Sequence, residues 1–371
     1  MRKLLLLTII IISISFTGIY AQNTNKNADK TKIILVNPGV FYLKSLVYLT
    51  DNKIINIKNL EYEAVFYTKN EISYDDAAIY LHVNKIPYIK LKKIDGDLNK
   101  NNLYKENSCT KSFKELFENS DGIIFLGGAD IPPVTYGQKT NLLTGIRTPN
   151  RHYFELSFLY HLLGRENNKH KPLLKQNPDY VVSGICLGMQ TMNVATGGDM
   201  YQDIPSDIYG LKYVEDVLAL DENNMHRSYW RNINMDNTLN NHSFHKIKLI
   251  DNKFFTSKFK LDKNDQPMVV SSHHQAVKNI GKGFKVVATS LDGKVVEALH
   301  HKKYKNVLGV QFHPEFYGLH NPVSKKVKMK PTDKGLLTEH ELMQQAGGYQ
   351  FQLAYWKYFS SLFVKSSKPK E

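Results

Sequence analysis

One short segment, residues 180–205, constrains the fold of this chain more than any other. It opens with β-branched apolar residues typical of a buried strand. It continues with apolar residues that favour a helix ending at Gly197-Gly198. Between them, Cys186 stands between Gly184 and Gly188. This pattern predicts a nucleophile elbow, because glycines relieve the crowding of a sharp strand-to-helix turn. The alternative is a buried structural cysteine, the commoner role of a lone Cys.

The pattern on either side of this segment predicts an α/β fold. Strands predicted before it, which alternate with helices, are 32–37, 61–67, 88–92 and 121–126. This alternation indicates a parallel sheet covered on both faces, with reactive groups at the carboxyl ends of its strands. Strands predicted after residue 245, with no helix between them, are 246–250, 268–272, 284–289, 295–299 and 307–312. We therefore expect a mainly parallel, flavodoxin-like central sheet flanked by helices, with an antiparallel C-terminal extension.

Three further elements have a predicted place in this fold. Residues 147–164 form the clearest amphipathic helix, with Asn150 as its cap and Gly164 as its stop. Residues 88–92 alternate polar and apolar side chains, which favours a strand near the sheet edge. Residues 206–241 are polar and show little periodicity, so we expect them to wrap around the site.

The two ends of the chain differ from the rest in composition. Residues 1–21 combine a basic start, an apolar run and a small residue before the break, which predicts a secretory signal peptide. The apolar run is shorter than the roughly 20 residues of a membrane span, so we expect export without stable membrane insertion. The alternative is an uncleaved anchor. The predicted organisation is a signal peptide at 1–21, a flexible leader at 22–30, a single domain at 31–364 and a charged tail at 365–371. The expected location is periplasmic or extracellular.

Charge and cysteine content narrow the classes of partner. The chain has 49 Lys and Arg against 35 Asp and Glu, a formal charge of +14. The lysines are scattered and form no basic helix stripe, so we expect a solvated surface and no nucleic-acid partner. Cys109 and Cys186 could form a disulfide in an oxidising compartment. We favour two free thiols, because Cys109 lies in a polar loop and Cys186 ends a central strand.

A second motif supplies a base for the thiol. His313 stands two residues before Glu315, across a rigid proline, after the last predicted strand. An imidazole next to a carboxylate that orients it is the arrangement that activates a nucleophilic thiol. Other histidines show no metal-ligand spacing, and we interpret them as surface or core residues without a metal site: His152, His161, His226, His242 and His245.

Five motifs in order carry a family resemblance: F-L-G-G-A-D at 125–130, G-I-C-L-G-M-Q at 184–190, G-G-D-M-Y-Q-D-I at 197–204, S-S-H-H-Q-A-V at 271–277 and G-V-Q-F-H-P-E at 309–315. Over about residues 31–320 the chain resembles the class I glutamine amidotransferase-like superfamily. Within it, the chain is most similar to the γ-glutamyl hydrolase group (peptidase family C26), especially the γ-glutamyl-γ-aminobutyrate hydrolases.

The resemblance implies roles for individual residues. Cys186 would be the nucleophile, His313 its base and Glu315 the carboxylate that orients the base. The backbone N–H groups of Gly128 and Leu187 would form the oxyanion hole. The resemblance also implies a substrate-binding set of three residues: Gln190, His274 and Gln275.

The implied reaction is hydrolysis of a γ-glutamyl amide through a thioester on the cysteine, without metal or organic cofactor. The expected partner is a small γ-glutamyl substrate, and the sequence leaves a homodimer open. Two alternatives remain at this point: a glutaminase component of an amidotransferase, and a binding protein on a scaffold that has lost catalysis.

Overall fold

The computed structural model describes residues 30–166, 170–262 and 264–364. The predicted signal peptide, most of the predicted leader and the predicted tail lie outside these residues. The strands are β1 Thr31–Val36, β2 Leu60–Tyr67, β3 Ile89–Ile94, β4 Gly122–Phe125, β5 Val181–Ile185, β6 Met200–Tyr201, β7 Ser243–Leu249, β8 Met268–Ser271, β9 Ala276–Val277, β10 Phe284–Ser290, β11 Val296–His301, β12 Val307–Val310, β13 Lys326–Val327 and β14 Leu337–Thr338.

Helices connect and cover these strands. They are α1 Val40–Asp51, α2 Tyr74–Val83, α3 Thr110–Glu118, α4 Pro149–Leu163, α5 Leu187–Ala195, α6 Ile204–Tyr209, α7 Val214–Leu218, α8 Trp230–Ile233, α9 Asn252–Phe259, α10 Tyr317–His320, α11 Glu339–Gln345 and α12 Tyr349–Ser361. Among the residues described, none of these helices is long and apolar enough to cross a membrane.

One large sheet organises the described residues. Its strand order is β3-β2-β1-β4-β5-β12-β11-β10-β7-β8. All pairs from β3 to β12 are parallel, and all pairs from β12 to β8 are antiparallel. This confirms the predicted fold class, a mainly parallel central sheet with an antiparallel C-terminal extension, and β3 lies at the predicted edge.

Strand β1 shows that both faces of the sheet are covered. Ile33 and Leu35 belong to one buried apolar cluster, whereas Ile34 and Val36 belong to another on the opposite face. Side chains alternate between the faces of a strand, so a strand buried on both sides reads as a continuous apolar run. The first cluster includes residues of α1 and α12, and the second includes residues of α3, α4 and α5.

The structure corrects two predicted details. Helix α4 begins at Pro149 with Thr148 as its N-cap, so Asn150 is not the cap. Proline is suited to the first helical position, because the missing N–H would have no intrahelical partner there. The predicted C-terminal stop is confirmed, since Gly164 is the C-cap. The antiparallel half also contains α9, which was not predicted from the sequence.

Helix α5 lies unusually close to the two strands beneath it. A Cβ atom on Gly188 would be 2.2 Å from the carbonyl oxygen of Phe125 in β4. A Cβ atom on Gly184 would be 2.7 Å from the carbonyl carbon of Gly188. Only glycine permits such contacts with backbone atoms. The two glycines that flank Cys186 therefore fix the start of α5 at the carboxyl ends of β4 and β5.

Candidate active site

Cys186 occupies a strained turn between β5 and α5. Its backbone has φ 53° and ψ −107°, outside the regions that non-glycine residues normally adopt. Its N–H donates a hydrogen bond to the Val310 carbonyl at 2.8 Å, which ties the turn to β12. The residue is 6% exposed. Strained backbone at a buried reactive side chain is typical of functional sites, where the surrounding structure holds it in place.

His313 and Glu315 lie beside this thiol. His313 Nδ1 is 2.6 Å from Glu315 Oε1. The imidazole also lies close enough to Cys186 for the sulfur to raise the imidazole pKa. An ionised carboxylate only accepts hydrogen bonds, so Nδ1 carries a hydrogen and Nε2 remains for the sulfur. The ring stacks on Phe316 with centroids 4.1 Å apart, which fixes its orientation.

The electrostatic surroundings favour the charged form of this imidazole. Burial alone would lower the pKa of His313, but the negative charges of Glu315 and Cys186 outweigh burial and raise it to about 10. The imidazolium therefore persists at neutral pH next to the sulfur. A positive group in contact with a cysteine stabilises its reactive thiolate form.

The loop after β4 forms a third side of the site. A Cβ on Gly127 would lie 2.9 Å from His313 Cε1, and one on Gly128 would lie 2.7 Å from Leu187 Cδ2. The two glycines therefore pack directly against the base and the start of α5. Leu187 is the first residue of α5, so its N–H has no acceptor within the helix.

Arg151 holds this loop from behind. Its Nη2 donates to the carbonyl oxygens of Leu126 at 3.1 Å and Gly127 at 3.0 Å. The Gly127 carbonyl and the Gly128 N–H belong to one planar trans peptide and point in opposite directions. By binding the carbonyl, the guanidinium directs the Gly128 N–H away from itself.

The Arg151 guanidinium is itself held by a buried carboxylate. Its Nε donates to Glu155 Oε1 at 2.6 Å, and Asn37 Nδ2 donates to the same oxygen at 3.2 Å. Glu155 is fully buried and Arg151 nearly so. Sequence reasoning missed this pair, because both residues lie within an ordinary amphipathic helix pattern.

A chain of glutamine amides lies beneath the thiol. Gln311 Nε2 donates to Cys186 Sγ at 3.6 Å, and Gln190 Nε2 donates to Gln311 Oε1 at 3.2 Å. Gln275 Nε2 donates to the Gln202 carbonyl at 3.1 Å. Gln190 and Gln275 are both buried and contact protein groups, so their role in binding substrate stays a prediction. Sequence reasoning missed Gln311, although it lies within the quoted motif at 309–315.

A cavity of about 740 Å³ opens beside the glycine loop. Its wall includes Ala129 and Asp130, which directly follow Gly128, and the predicted residue His274. His274 bridges two carboxylates, with Nδ1 3.0 Å from Asp203 Oδ1 and Nε2 3.0 Å from Asp130 Oδ2. Burial opposes protonation of His274, but the two carboxylates raise its pKa to about 9.

The cavity also carries positive charge. Arg147 and Arg227 line it, together with the Tyr229 ring, whose centroid lies 4.9 Å from the Arg227 guanidinium carbon. Both signs of charge are therefore present in one concave site next to the glycine loop, which is suited to a zwitterionic small molecule. Cys186 and His313 do not line this cavity, which reaches the site through Ala129 and Asp130.

Comparison with known proteins identifies the family. The family model of Peptidase C26 matches residues 105–315, more than half of the chain. The chain is 30% identical over 234 residues to glutamine amidotransferase-like protein YvdE of Lactococcus lactis, covering 62% of this chain and 82% of that protein. It is 32% identical over 221 residues to glutamine amidotransferase-like protein RP404 of Rickettsia prowazekii, covering 55% of this chain and 74% of that protein.

A solved structure from Thermoplasma acidophilum, assigned as one component of a GMP synthase, aligns with a TM-score of 0.40 and 12% identity, over 90% of this chain and 94% of that one. The match to the family model shows that this chain belongs to the Peptidase C26 family, as its ordered motifs indicated. Its function is therefore of the hydrolase or amidotransferase-like class. The closer similarity to γ-glutamyl-γ-aminobutyrate hydrolases stays a prediction.

The raised pKa of His313 generates a prediction about Glu315. Replacing Glu315 with Gln removes a negative charge that opposes burial, so we expect the pKa of His313 to fall. In the wild-type protein the imidazolium stabilises the fold fully below the unfolded pKa of about 6.5, and this contribution is lost as the pH rises through about 10. NMR titration of the His313 ring measures its pKa in the wild-type protein and in the Glu315→Gln variant.

Glu339→Gln is the matched control, because Glu339 Oε1 makes a contact of the same 2.6 Å length with His242 Nδ1. We expect that variant to shift the His313 titration much less than Glu315→Gln does, because Glu339 interacts with His313 only weakly whereas Glu315 contacts the ring. A His313 titration left unchanged by Glu315→Gln would contradict the assigned role of the carboxylate.

Proposed function

We propose that this protein hydrolyses γ-glutamyl amide bonds of small molecules, with Cys186 as nucleophile, His313 as base and Glu315 as the residue that orients His313. The observation that carries the proposal is the strained, buried thiol beside an imidazole–carboxylate pair. The Peptidase C26 family supports a hydrolase that acts on C–N bonds. The mixed charge of the neighbouring cavity supports a substrate with an amino-acid head group.

Acylation would begin with the thiolate of Cys186 attacking the carbonyl carbon of the γ-amide. The oxygen that becomes negative would be stabilised by the N–H groups of Gly128 and Leu187, as in other oxyanion holes. The His313 imidazolium would donate its proton to the departing amine nitrogen as the C–N bond breaks. The product of this step is a γ-glutamyl thioester and a free amine.

Deacylation would reverse the role of the base. Neutral His313 would take a proton from a water molecule as its oxygen attacks the thioester carbonyl. Collapse of the second tetrahedral intermediate would release free glutamate and return Cys186 as a thiolate beside an imidazolium. Glu315 would stabilise that imidazolium in both half-reactions.

The cavity supplies complementary groups for the glutamyl head. The α-carboxylate would pair with Arg147 or Arg227, since guanidinium groups bind carboxylates with two parallel hydrogen bonds. The α-ammonium would approach the carboxylates of Asp130 and Asp203, which His274 holds in place. The backbone of residues 127–128 would then lie at the reacting carbonyl.

Glutaminase activity is the second candidate function, since two similar proteins carry glutamine amidotransferase-like names. Glutamine is itself a γ-glutamyl amide with ammonia as the leaving group, so the same residues could act on it. A substrate panel distinguishes the two: release of ammonia from free glutamine alone favours glutaminase, whereas turnover of γ-glutamyl conjugates of larger amines favours the leading proposal.

Replacing the nucleophile is the direct test. We expect Cys186→Ala to abolish hydrolysis of γ-glutamyl-p-nitroanilide and of γ-glutamyl-GABA, because the thioester forms on the Cys186 sulfur. The absorbance of p-nitroaniline measures its release. Mass spectrometry of the protein during turnover detects the thioester on Cys186.

Cys109→Ala is the matched control. Cys109 is the other free, buried cysteine, and burial raises its pKa to about 11, so it stays protonated at neutral pH. We expect this variant to retain activity. In the wild-type protein, we expect Cys186 to react with iodoacetamide before Cys109 does. Equal hydrolysis by the wild-type and Cys186→Ala proteins would overturn the proposal.

The buried pair behind the glycine loop gives a second prediction. Arg151→Met leaves Glu155 as an uncompensated buried charge, so we expect a loss of roughly 3–5 kcal/mol in the free energy of unfolding. The double variant Arg151→Met/Glu155→Gln removes both charges, and we expect it to regain most of that stability. Urea unfolding measures these values.

In the double variant, kcat should stay low even though the free energy of unfolding recovers. The double variant still lacks the guanidinium that holds the Gly127 carbonyl, and loss of one oxyanion donor typically lowers kcat by about 10²–10³. The single variant Glu155→Gln keeps Arg151, so its kcat should fall less than that of the double variant. Wild-type kcat in the double variant would rule out a positioning role for Arg151.

We also propose that the protein acts after export, on the basis of the signal-like composition of residues 1–21. Processing would remove those residues in the producing cell. The test separates the cytoplasmic and exported fractions of that cell and measures the intact mass of the protein in each. A full-length chain in the cytoplasm would contradict the proposal.

A further inference from the structure

Three histidines and one glutamate meet in the interior of the antiparallel half of the fold. His245 lies on β7, Glu297 on β11, His273 two residues after β8, and His226 in the connection between β6 and β7. All four are buried, with exposed fractions of 0% for His245 and Glu297, 2% for His226 and 5% for His273. The sequence interpretation assigned surface or core roles to His226 and His245, because residues so far apart show no ligand spacing.

The nitrogen atoms converge on one carboxylate oxygen. Glu297 Oε1 lies 3.1 Å from His245 Nε2, 3.2 Å from His226 Nδ1 and 4.0 Å from His273 Nε2. In a tetrahedral zinc site with bonds of about 2.0–2.1 Å, neighbouring ligand atoms are roughly 3.3 Å apart. Two of the three distances match that spacing, and the ligand atoms of His226, His245 and Glu297 lie close enough together to hold one ion. His273 Nε2 lies farther out and would have to move toward them.

Hydrogen bonding fixes the tautomer of one histidine. His273 Nδ1 lies 2.8 Å from the Gln275 carbonyl oxygen, which can only accept, so Nδ1 carries the hydrogen. In the neutral ring Nε2 is then the nitrogen with the free lone pair. It lies 4.0 Å from Glu297 Oε1.

Further polar atoms of the cluster lack partners. Within the described residues, no hydrogen-bond partner is found for His226 Nε2, His245 Nδ1, His273 Nε2 or Glu297 Oε2. Unpaired buried polar atoms are rare because each costs the free energy of its lost hydration. A metal ion bound among these atoms would satisfy them, since imidazole nitrogens and carboxylate oxygens are zinc ligands.

We propose that His226, His245, His273 and Glu297 bind one divalent transition-metal ion, with zinc as the best match. Three imidazoles and one carboxylate suit zinc, and four protein ligands leave no open position, which is typical of a structural site. The hydrogen bond from His273 Nδ1 to a carbonyl is the outer contact that metal-bound histidines usually make.

The proposed ion would support the wall of the substrate cavity. Arg227 and His274 line that cavity, and each directly follows one of the ligands. The His226 carbonyl already accepts hydrogen bonds from the His273 N–H at 2.9 Å and from Ser271 Oγ at 2.8 Å. An ion bound to His226 and His273 would join the same two segments through their side chains.

Metal content and coordination are measured first, without substrate, so that the result does not depend on the proposed function. The full chain is purified without a histidine tag, and zinc is counted by elemental mass spectrometry. We expect one zinc per chain. After chelation, cobalt(II) loading should give the visible absorption of a tetrahedral site without a thiolate-to-cobalt band, which excludes Cys186 and Cys109 as ligands.

A ligand variant and a matched control test the assignment. We expect His226→Asn to lower zinc affinity by at least about tenfold, since even outer-shell changes cost 10–100-fold. His161→Asn is the control, because His161 is also fully buried but bonds Thr110 and the Ser157 carbonyl. It should keep wild-type zinc affinity.

Three results would overturn the proposal: wild-type protein without stoichiometric zinc that also takes up no cobalt, a cobalt spectrum with a thiolate band, or unchanged zinc affinity in His226→Asn. If His226→Asn does not fold, the stoichiometry and the cobalt spectrum of the wild type decide alone.

Chelation should also raise KM more than it lowers kcat, since the ion contacts the cavity wall and not the thiol.

Discussion

The close approach of α5 to β4 and β5 is the constraint on which the site depends. Gly184 and Gly188 let backbone meet backbone with no room for a side chain, and Cys186 between them is forced into its strained turn. The same approach brings the start of α5 against Gly128. One packing contact therefore sets the position of the thiol and of both proposed oxyanion donors.

Buried charge is concentrated around this contact, and each charge has a partner. Arg151 is paired with Glu155 behind the glycine loop, and His313 with Glu315 beside the thiol. His274 lies between Asp130 and Asp203 at the cavity wall. Buried ion pairs contribute little net stability, since desolvation offsets attraction. Their value here is geometric, because each one fixes the orientation of a group that faces the substrate region.

Local patterns carried enough information to predict the sheet and the core of the site. The alternation of strands and helices, the glycines around Cys186 and the short spacing between His313 and Glu315 are all contained within segments of a few residues. Arg151 and Glu155 were not predicted, because in the sequence a buried ion pair on a helix has the same spacing as an exposed polar pair. The cluster around Glu297 was not predicted, because its members come from four segments that only the antiparallel sheet brings together. Helix α9 was missed where short strands dominated the pattern.

The order of strands in the sheet also sets when the site is completed during synthesis. Cys186 follows β5, whereas its base follows β12, the strand that pairs with β5 in the sheet. The hydrogen bond from Gln311 to the sulfur joins residues 125 positions apart. Contacts of such long range form late, because the closure of a long loop precedes them. A ribosome that has made β1 to β5 has built the elbow but not its activating partner, so the nascent thiol stays without its imidazole until the C-terminal half emerges and adds its strand.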